Sequence, residues 1–253
     1  MSPRPVTLIT GASAGLGAEF ARQCAARGEN LVLVARRRDR LEALRAELGG
    51  NVTIIDADLA PAGAHDALLG RLAAEGLEVE LLINNAGFGL SGPVAGQAAE
   101  RHCEMIDLNV RALTALTRAV LPGMLARGHG GILNVASTAA FQPGPYMAVY
   151  YATKAYVLSF TEALHQELKG TGIKVTALCP GPTATEFFDV AKVKGLLPRL
   201  AADAPGVVRA GLKGLDRNRA IVIPGGRNRL LAQGSRFLPR AAMRRVMARI
   251  KMD

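Results

Sequence analysis

Short runs of β-branched and leucine-rich residues alternate along the chain with longer stretches that are amphipathic or rich in alanine. Short apolar runs predict strands and the longer stretches predict helices, so the pattern reads as successive βαβ units around a parallel sheet. Strands are expected at 6–10, 31–35, 52–56, 80–84, 131–136, 173–179 and 220–223. Helices are expected at 15–28, 37–48, 63–75, 97–128, 150–169, 186–199 and 204–215. The strands are apolar almost throughout, as a sheet covered on both faces requires. The expected fold class is therefore α/β, a doubly wound, Rossmann-like parallel sheet in one domain over residues 1–225, followed by a basic amphipathic C-terminal helical extension over 226–253.

Parallel crossovers are right-handed, and ligands bind beyond the carboxyl ends of the strands. That rule turns sequence positions into a site map. The residues that follow a strand are Gly11 to Gly17, Arg36, Asp58, Asn84 to Gly87, Ser137 and Pro180 to Thr185, and all should meet at one edge. The first group reads Gly11-Ala12-Ser13-Ala14-Gly15-Leu16-Gly17. Gly11 permits a tight turn, Gly15 lets backbone approach a pyrophosphate, and Gly17 lets the helix pack closely on the strand with its N-terminus facing the anion. At the end of the second strand Arg36 and Arg37 stand where an acid would bind a ribose hydroxyl. A guanidinium there suits a 2′-phosphate, to which Ser13 can add a hydroxyl, so NADP(H) is expected in preference to NAD(H).

Tyr150 and Lys154 are four residues apart and share a helical face, with Ser137 upstream at a strand end. An ammonium beside a phenol favours the phenolate, and a serine hydroxyl can hold the substrate oxygen that the tyrosine protonates. Tyr151 is followed four residues on by Ala155 rather than a lysine, and it is expected to pack or to line the pocket.

Thr10 to Gly17, Asp58-Leu59, Asn84-Asn85-Ala86-Gly87, Asn109, Ser137, Tyr150, Lys154 and Pro180-Gly181 to Thr185 resemble, in order and spacing, the short-chain dehydrogenase/reductase family. The resemblance spans about residues 4–225 and implies catalytic roles for Asn109, Ser137, Tyr150 and Lys154. It also implies that Asp58 and Leu59 lie at the adenine, Asn85, Ala86 and Gly87 along the cofactor, Thr183 and Thr185 at the nicotinamide carboxamide, and Pro180 and Gly181 also against the cofactor. Thr183 departs from the branched aliphatic common at that place. The implied activity is hydride transfer between NADP(H) and a small-molecule carbonyl or alcohol, with a lipophilic ketone or aldehyde expected from Phe88, Pro143, Tyr146, Phe187, Phe188, Leu196 and Leu197. The branch resembled contains ketoacyl-type and hydroxysteroid-type reductases. A nucleotide-sensing scaffold without turnover is the alternative, which the intact set of four residues opposes. The long helices at 97–128 and 150–169 resemble surfaces by which the family forms homodimers or homotetramers.

Composition changes the picture in two places. The net charge of +10 is confined to the end of the chain: residues 1–198 hold 18 basic and 18 acidic side chains, and residues 199–253 hold 13 and 3. Within that segment Met243, Val246, Met247 and Ile250 form a helical stripe flanked by Arg240, Arg244 and Arg245. Such a helix either lies on an anionic membrane surface or packs its stripe on the protein, and both readings stand at this stage. With Phe237 as its one aromatic, the segment does not predict nucleic-acid binding. Second, Cys24, Cys103 and Cys179 are far apart in apolar stretches and are expected as buried free thiols. The four histidines are expected at the surface and no metal site is expected. No leader or membrane span is visible, so a cytoplasmic protein, at most peripheral to a membrane, is expected.

Overall fold

In the computed structural model, which describes residues 3–191 and 201–250, one seven-stranded sheet forms with the order β3-β2-β1-β4-β5-β6-β7. The strands are β1 Arg4–Thr10, β2 Leu31–Ala35, β3 Val52–Asp56, β4 Leu77–Asn84, β5 Gly130–Val135, β6 Ile173–Leu178 and β7 Ile221–Val222. Every neighbouring pair is parallel, so each connection must cross over the sheet. The order reverses between β1 and β4, which opens a crevice at their carboxyl ends.

Helices cover both faces, which explains the unbroken apolar strands. One face packs α1 (Gly15–Ala25), α2 (Arg38–Leu48) and α8 (Ala204–Asp216) around Ile9, Phe20, Leu33, Ile83 and Leu212. The opposite face packs α3 (Ala64–Ala74), α5 (Leu113–Arg127) and α6 (Ala148–Glu167) around Leu8, Val34, Leu72, Met124 and Val175. Two polar residues interrupt this second layer. The Asn84 amide donates to Asn134 Oδ1 at 2.9 Å and Thr117 Oγ1 at 3.0 Å, and the Asn134 amide donates to Thr161 Oγ1 at 3.0 Å. The chain of bonds ties β4 and β5 to α5 and α6, and the hydroxyl partners limit the cost of burying the amides.

The helix expected at 97–128 is divided. Its first part is α4, Ala99–Ile106; a π-helical turn, Asp107–Ala112, then leads into α5. Of the helix expected at 186–199, α7 spans Phe187–Ala191, and the remainder lies outside the described residues. Two further helices follow β7 among the described residues, α9, Gly226–Gly234, and α10, Arg240–Ile250, both within the helical extension expected over 226–253.

Cys24 and Cys179 are buried free thiols, but Cys103 is exposed, because α4 turns it outward. His129 is exposed, whereas His65, His102 and His165 are half-buried, and His165 Nδ1 lies 2.8 Å from the Val175 carbonyl oxygen. An imidazole's apolar edge is readily covered by a neighbouring strand, which polar character alone does not reveal.

Candidate active site

A cavity of about 1570 Å³ lies at the carboxyl edge of the sheet. The loops after β1 to β6 all contribute to it: Gly11, Ser13, Ala14, Gly15 and Leu16; Arg36 and Arg37; Asp58 and Leu59; Asn85, Ala86 and Gly87; Ser137; and Pro180, Gly181, Thr183 and Thr185. Tyr150 and Lys154 reach it from α6. Of the site residues expected from the sequence, Gly17 and Asn109 stand behind its wall.

The phosphate loop is built backbone against backbone. Gly11 and Gly15 adopt φ of +66° and +53°, a region side chains disfavour. A Cβ on Gly11 would stand 2.8 Å from Ala86 Cα, and one on Gly17 would stand 2.1 Å from the Gly11 carbonyl oxygen. Asn85 locks the same loop to β4, its amide donating to the Thr10 and Gly11 carbonyls at 2.9 and 3.2 Å. Thr10 Oγ1 in turn accepts from the Asn85 and Ala86 N–H groups, both at 3.0 Å. The first turn of α1 has no acidic residue, and its N-cap, Ala14, offers no side-chain acceptor. Those orphan N–H groups, beside a cavity lined by glycine, suit a dinucleotide pyrophosphate. At the end of the cavity beside β2, Arg37 Nε donates to Ser13 Oγ at 3.3 Å, whereas Arg36 turns toward Glu104 at 3.3 Å and Asp58 at 3.8 Å.

At the other end Ser137 starts a 3-10 turn, its hydroxyl accepting from the Ala139 N–H at 3.0 Å. Burial raises the Tyr150 pKa above its usual value, against the lowering influence of Ser137. The expectation that Lys154 lowers this phenol is corrected here. Lys154 Nζ donates to the Val135 carbonyl at 2.7 Å and stands 5.9 Å from the Tyr150 ring centroid, so burial dominates the phenol. Burial also brings Lys154 itself down to about 8, against the raising influence of Cys179.

The π-turn points Asn109 inward. Its Oδ1 accepts from the Phe88 N–H at 3.1 Å, and its Nδ2 donates to the Phe88 carbonyl at 2.9 Å and to Thr153 Oγ1 at 3.1 Å. Thr153 Oγ1 donates to the Tyr150 carbonyl at 2.7 Å, so Asn109 bridges the β4 loop and the helix carrying Tyr150. Gly87 is required beside it, since a Cβ would stand 2.8 Å from Asn109 Oδ1.

Tyr151 packs edge-on against Tyr150, with centroids 6.1 Å apart, and lines the cavity. So do Phe88, Tyr146, Phe187 and Phe188, as expected, whereas Pro143 does not; Leu196 and Leu197 lie outside the described residues. The sequence reading missed the wall supplied by the end of the chain: Leu230, Leu231 and Leu238, with Met243, Val246 and Met247 from α10. Met243 and Met247 are buried, and the Ser235 hydroxyl donates to the Phe141 carbonyl at 3.2 Å. This part of the α10 stripe therefore packs on the protein, and the methionine spacing was the legible signal of a packed face. Ile250, the last residue of the stripe, carries no described side chain.

Comparison with known proteins gives a match to the short chain dehydrogenase family model over residues 5–193. The NADP-dependent 3-hydroxy acid dehydrogenase YdfG of Escherichia coli (strain K12) is 39% identical over 191 residues, covering 75% of this chain and 77% of that protein. The structure of a short-chain dehydrogenase from Sphingobium yanoikuyae in complex with NADPH superposes with a TM-score of 0.83 at 37% identity, covering 96% of this chain and 95% of that one. The bulky-bulky ketone specific alcohol dehydrogenase from Comamonas testosteroni superposes with a TM-score of 0.76 at 35% identity, covering 92% of each chain.

Proposed function

We propose, from the premise that the chain belongs to the short-chain dehydrogenase family, that it is an NADP(H)-dependent oxidoreductase that reduces a bulky lipophilic ketone or aldehyde and oxidises the matching alcohol. The carrying observation is one cavity that runs from Ser13 and Arg37 at one end to Ser137, Tyr150 and Lys154 at the other. Arg37, with Ser13, takes the 2′-phosphate, and Gly11 to Gly17 take the pyrophosphate; Asp58, Leu59, Asn85 to Gly87, Pro180, Gly181, Thr183 and Thr185 flank the rest of the dinucleotide. A reduced nicotinamide bound there would supply the hydride for the carbonyl carbon. Ser137 holds the carbonyl oxygen, and Tyr150 gives it a proton as negative charge develops there. Lys154, anchored through Nζ on the Val135 carbonyl, shares the helical face of Tyr150 and restores the proton toward it, and Asn109 fixes the helix that carries both.

Residues 226–253 act as an extension that closes the substrate side of the domain formed by residues 1–225. Their apolar wall supports the lipophilic substrate, as does the likeness to a ketone-specific enzyme. The test is oxidation of NADPH in the presence of a panel of aliphatic, aryl and polycyclic ketones and aldehydes. Turnover that rises with the apolar bulk of the substrate is expected. Tight NADPH binding with no turnover on any member would favour a sensing role instead.

The same extension is read as the point of peripheral membrane contact. Among the described residues no helix is long and apolar enough to cross a membrane. Leu230, Leu231, Phe237 and Leu238 are exposed large apolar side chains, with Arg227, Arg229, Arg240, Arg244 and Arg245 exposed beside them. Pairing this face with itself would set arginine against arginine, so an anionic lipid surface suits it better. Homodimers or homotetramers instead use the outer faces of α4 to α6, where Ile106, Leu125 and Tyr156 are exposed. The chain is expected to co-sediment with phosphatidylglycerol vesicles and not with phosphatidylcholine vesicles, and Leu230→Ser with Phe237→Ser should abolish it. Equal pelleting of both forms would refute the contact.

A further inference from the structure

The Arg37 guanidinium already carries an anion. Its Nη2 donates to Glu186 Oε2 at 2.9 Å, while the other carboxylate oxygen accepts from Arg40. Glu186 stands at the head of α7, after Thr185, which packs on Gly15 with its Cβ 3.0 Å from where a Gly15 Cβ would be. The segment after β6 is thus strapped to the start of α2 across the adenine end of the cavity, which Glu186 also lines. The two arginines hold the Glu186 carboxyl below the usual range, chiefly through the hydrogen bond from Arg40, so it is an anion at neutral pH.

We infer that Glu186 is a specificity-determining residue: an internal anion that competes with the cofactor 2′-phosphate for Arg37 and so limits the preference for NADPH over NADH. A guanidinium binds an anion best through two parallel donors. With Nη2 on Glu186 and Nε on Ser13, the Nε/Nη2 edge of Arg37 is engaged, so a 2′-phosphate that takes this edge displaces the carboxylate, and one that takes the Nη1/Nη2 edge still meets the carboxylate's charge. Arg40 gives the displaced carboxylate somewhere to stay, so the strap shifts its hold rather than coming free. A cofactor without the 2′-phosphate leaves the Arg37–Glu186 pair intact and meets no such competition. The exchange is between partly exposed ions, so its effect is modest.

The inference rests on Arg37 being the 2′-phosphate ligand, and the experiment separates the two. Dissociation constants for NADPH and NADH are measured by titration calorimetry on the wild type, Glu186→Gln and Arg37→Gln. Glu186→Gln keeps the shape and removes the charge. It is expected to tighten NADPH about fivefold while NADH changes less than twofold. Equal changes for both cofactors would mean that Glu186 only packs the strap, and weaker NADPH binding would mean that it helps the phosphate; either result overturns the inference. Arg37→Gln is expected to weaken NADPH at least about tenfold and spare NADH. If it leaves the ratio of the two constants unchanged, the assignment of Arg37 to the phosphate fails, whatever Glu186→Gln does.

Discussion

Replacing Tyr150 with phenylalanine is expected to lower kcat for ketone reduction by about a thousandfold or more, because a positioned general acid contributes roughly 10²–10⁴ to rate. NADPH affinity should stay within about twofold, a range of only a few tenths of a kcal/mol. The ring would remain, and with it the packing on Phe187, 5.2 Å away between centroids, and on Tyr151. Steady-state kinetics beside calorimetric NADPH titration separates lost chemistry from lost binding. A variant turning over near the wild-type rate would remove Tyr150 from the mechanism. Tyr151→Phe is the matched control and should keep most of the rate. The direction of the Tyr150 shift bears on the chemistry. Burial raises the phenol, so at neutral pH it holds its proton and is ready to serve as the acid in reduction. Alcohol oxidation needs the phenolate, and in this arrangement Lys154 directs its ammonium to the Val135 carbonyl instead.

Gly17→Ala is expected to cost about 2–3 kcal/mol of stability, the upper part of the range for overpacking. For a domain of this size that lowers Tm by roughly 4–12 °C. The new Cβ would lie 2.1 Å from the Gly11 carbonyl oxygen and 2.6 Å from Asn85 Nδ2. The first is backbone, which cannot swing aside as a side chain can, and the second is the amide that ties the loop to β4. The phosphate loop must therefore move, and NADPH affinity should fall by at least about tenfold along with Tm. Gly70→Ala on α3, where a Cβ meets nothing within 4 Å, is the control and should leave Tm unchanged or slightly higher. An unchanged melting temperature for Gly17→Ala would show that the loop yields freely.

Most strands were legible because burial on both faces leaves little choice of residue: Leu31–Ala35 is buried at every position. The edge of the sheet that carries the site followed from one rule of chain topology, and most of the residues it selected line one cavity, with Gly17 and Asn84 packed behind it. The division of the helix expected at 97–128 was not legible. A π-turn changes which face Asn109 occupies, and its bonds go to Phe88 and Thr153, 21 and 44 residues away. The α10 stripe was visible as a stripe, but a helical stripe does not state what covers it.

By itself, then, the sequence determined the layered α/β fold, the glycine loop and the side chains of the candidate site, since these depend on local pattern and on the fixed handedness of crossovers. Only the tertiary structure decided that Met243 and Met247 face the cavity, that burial rather than Lys154 governs Tyr150, and that Glu186 sits on Arg37. Each of these is set by desolvation or by contact between segments far apart in the chain, 149 residues in the case of Glu186 and Arg37, and no local periodicity carries that information.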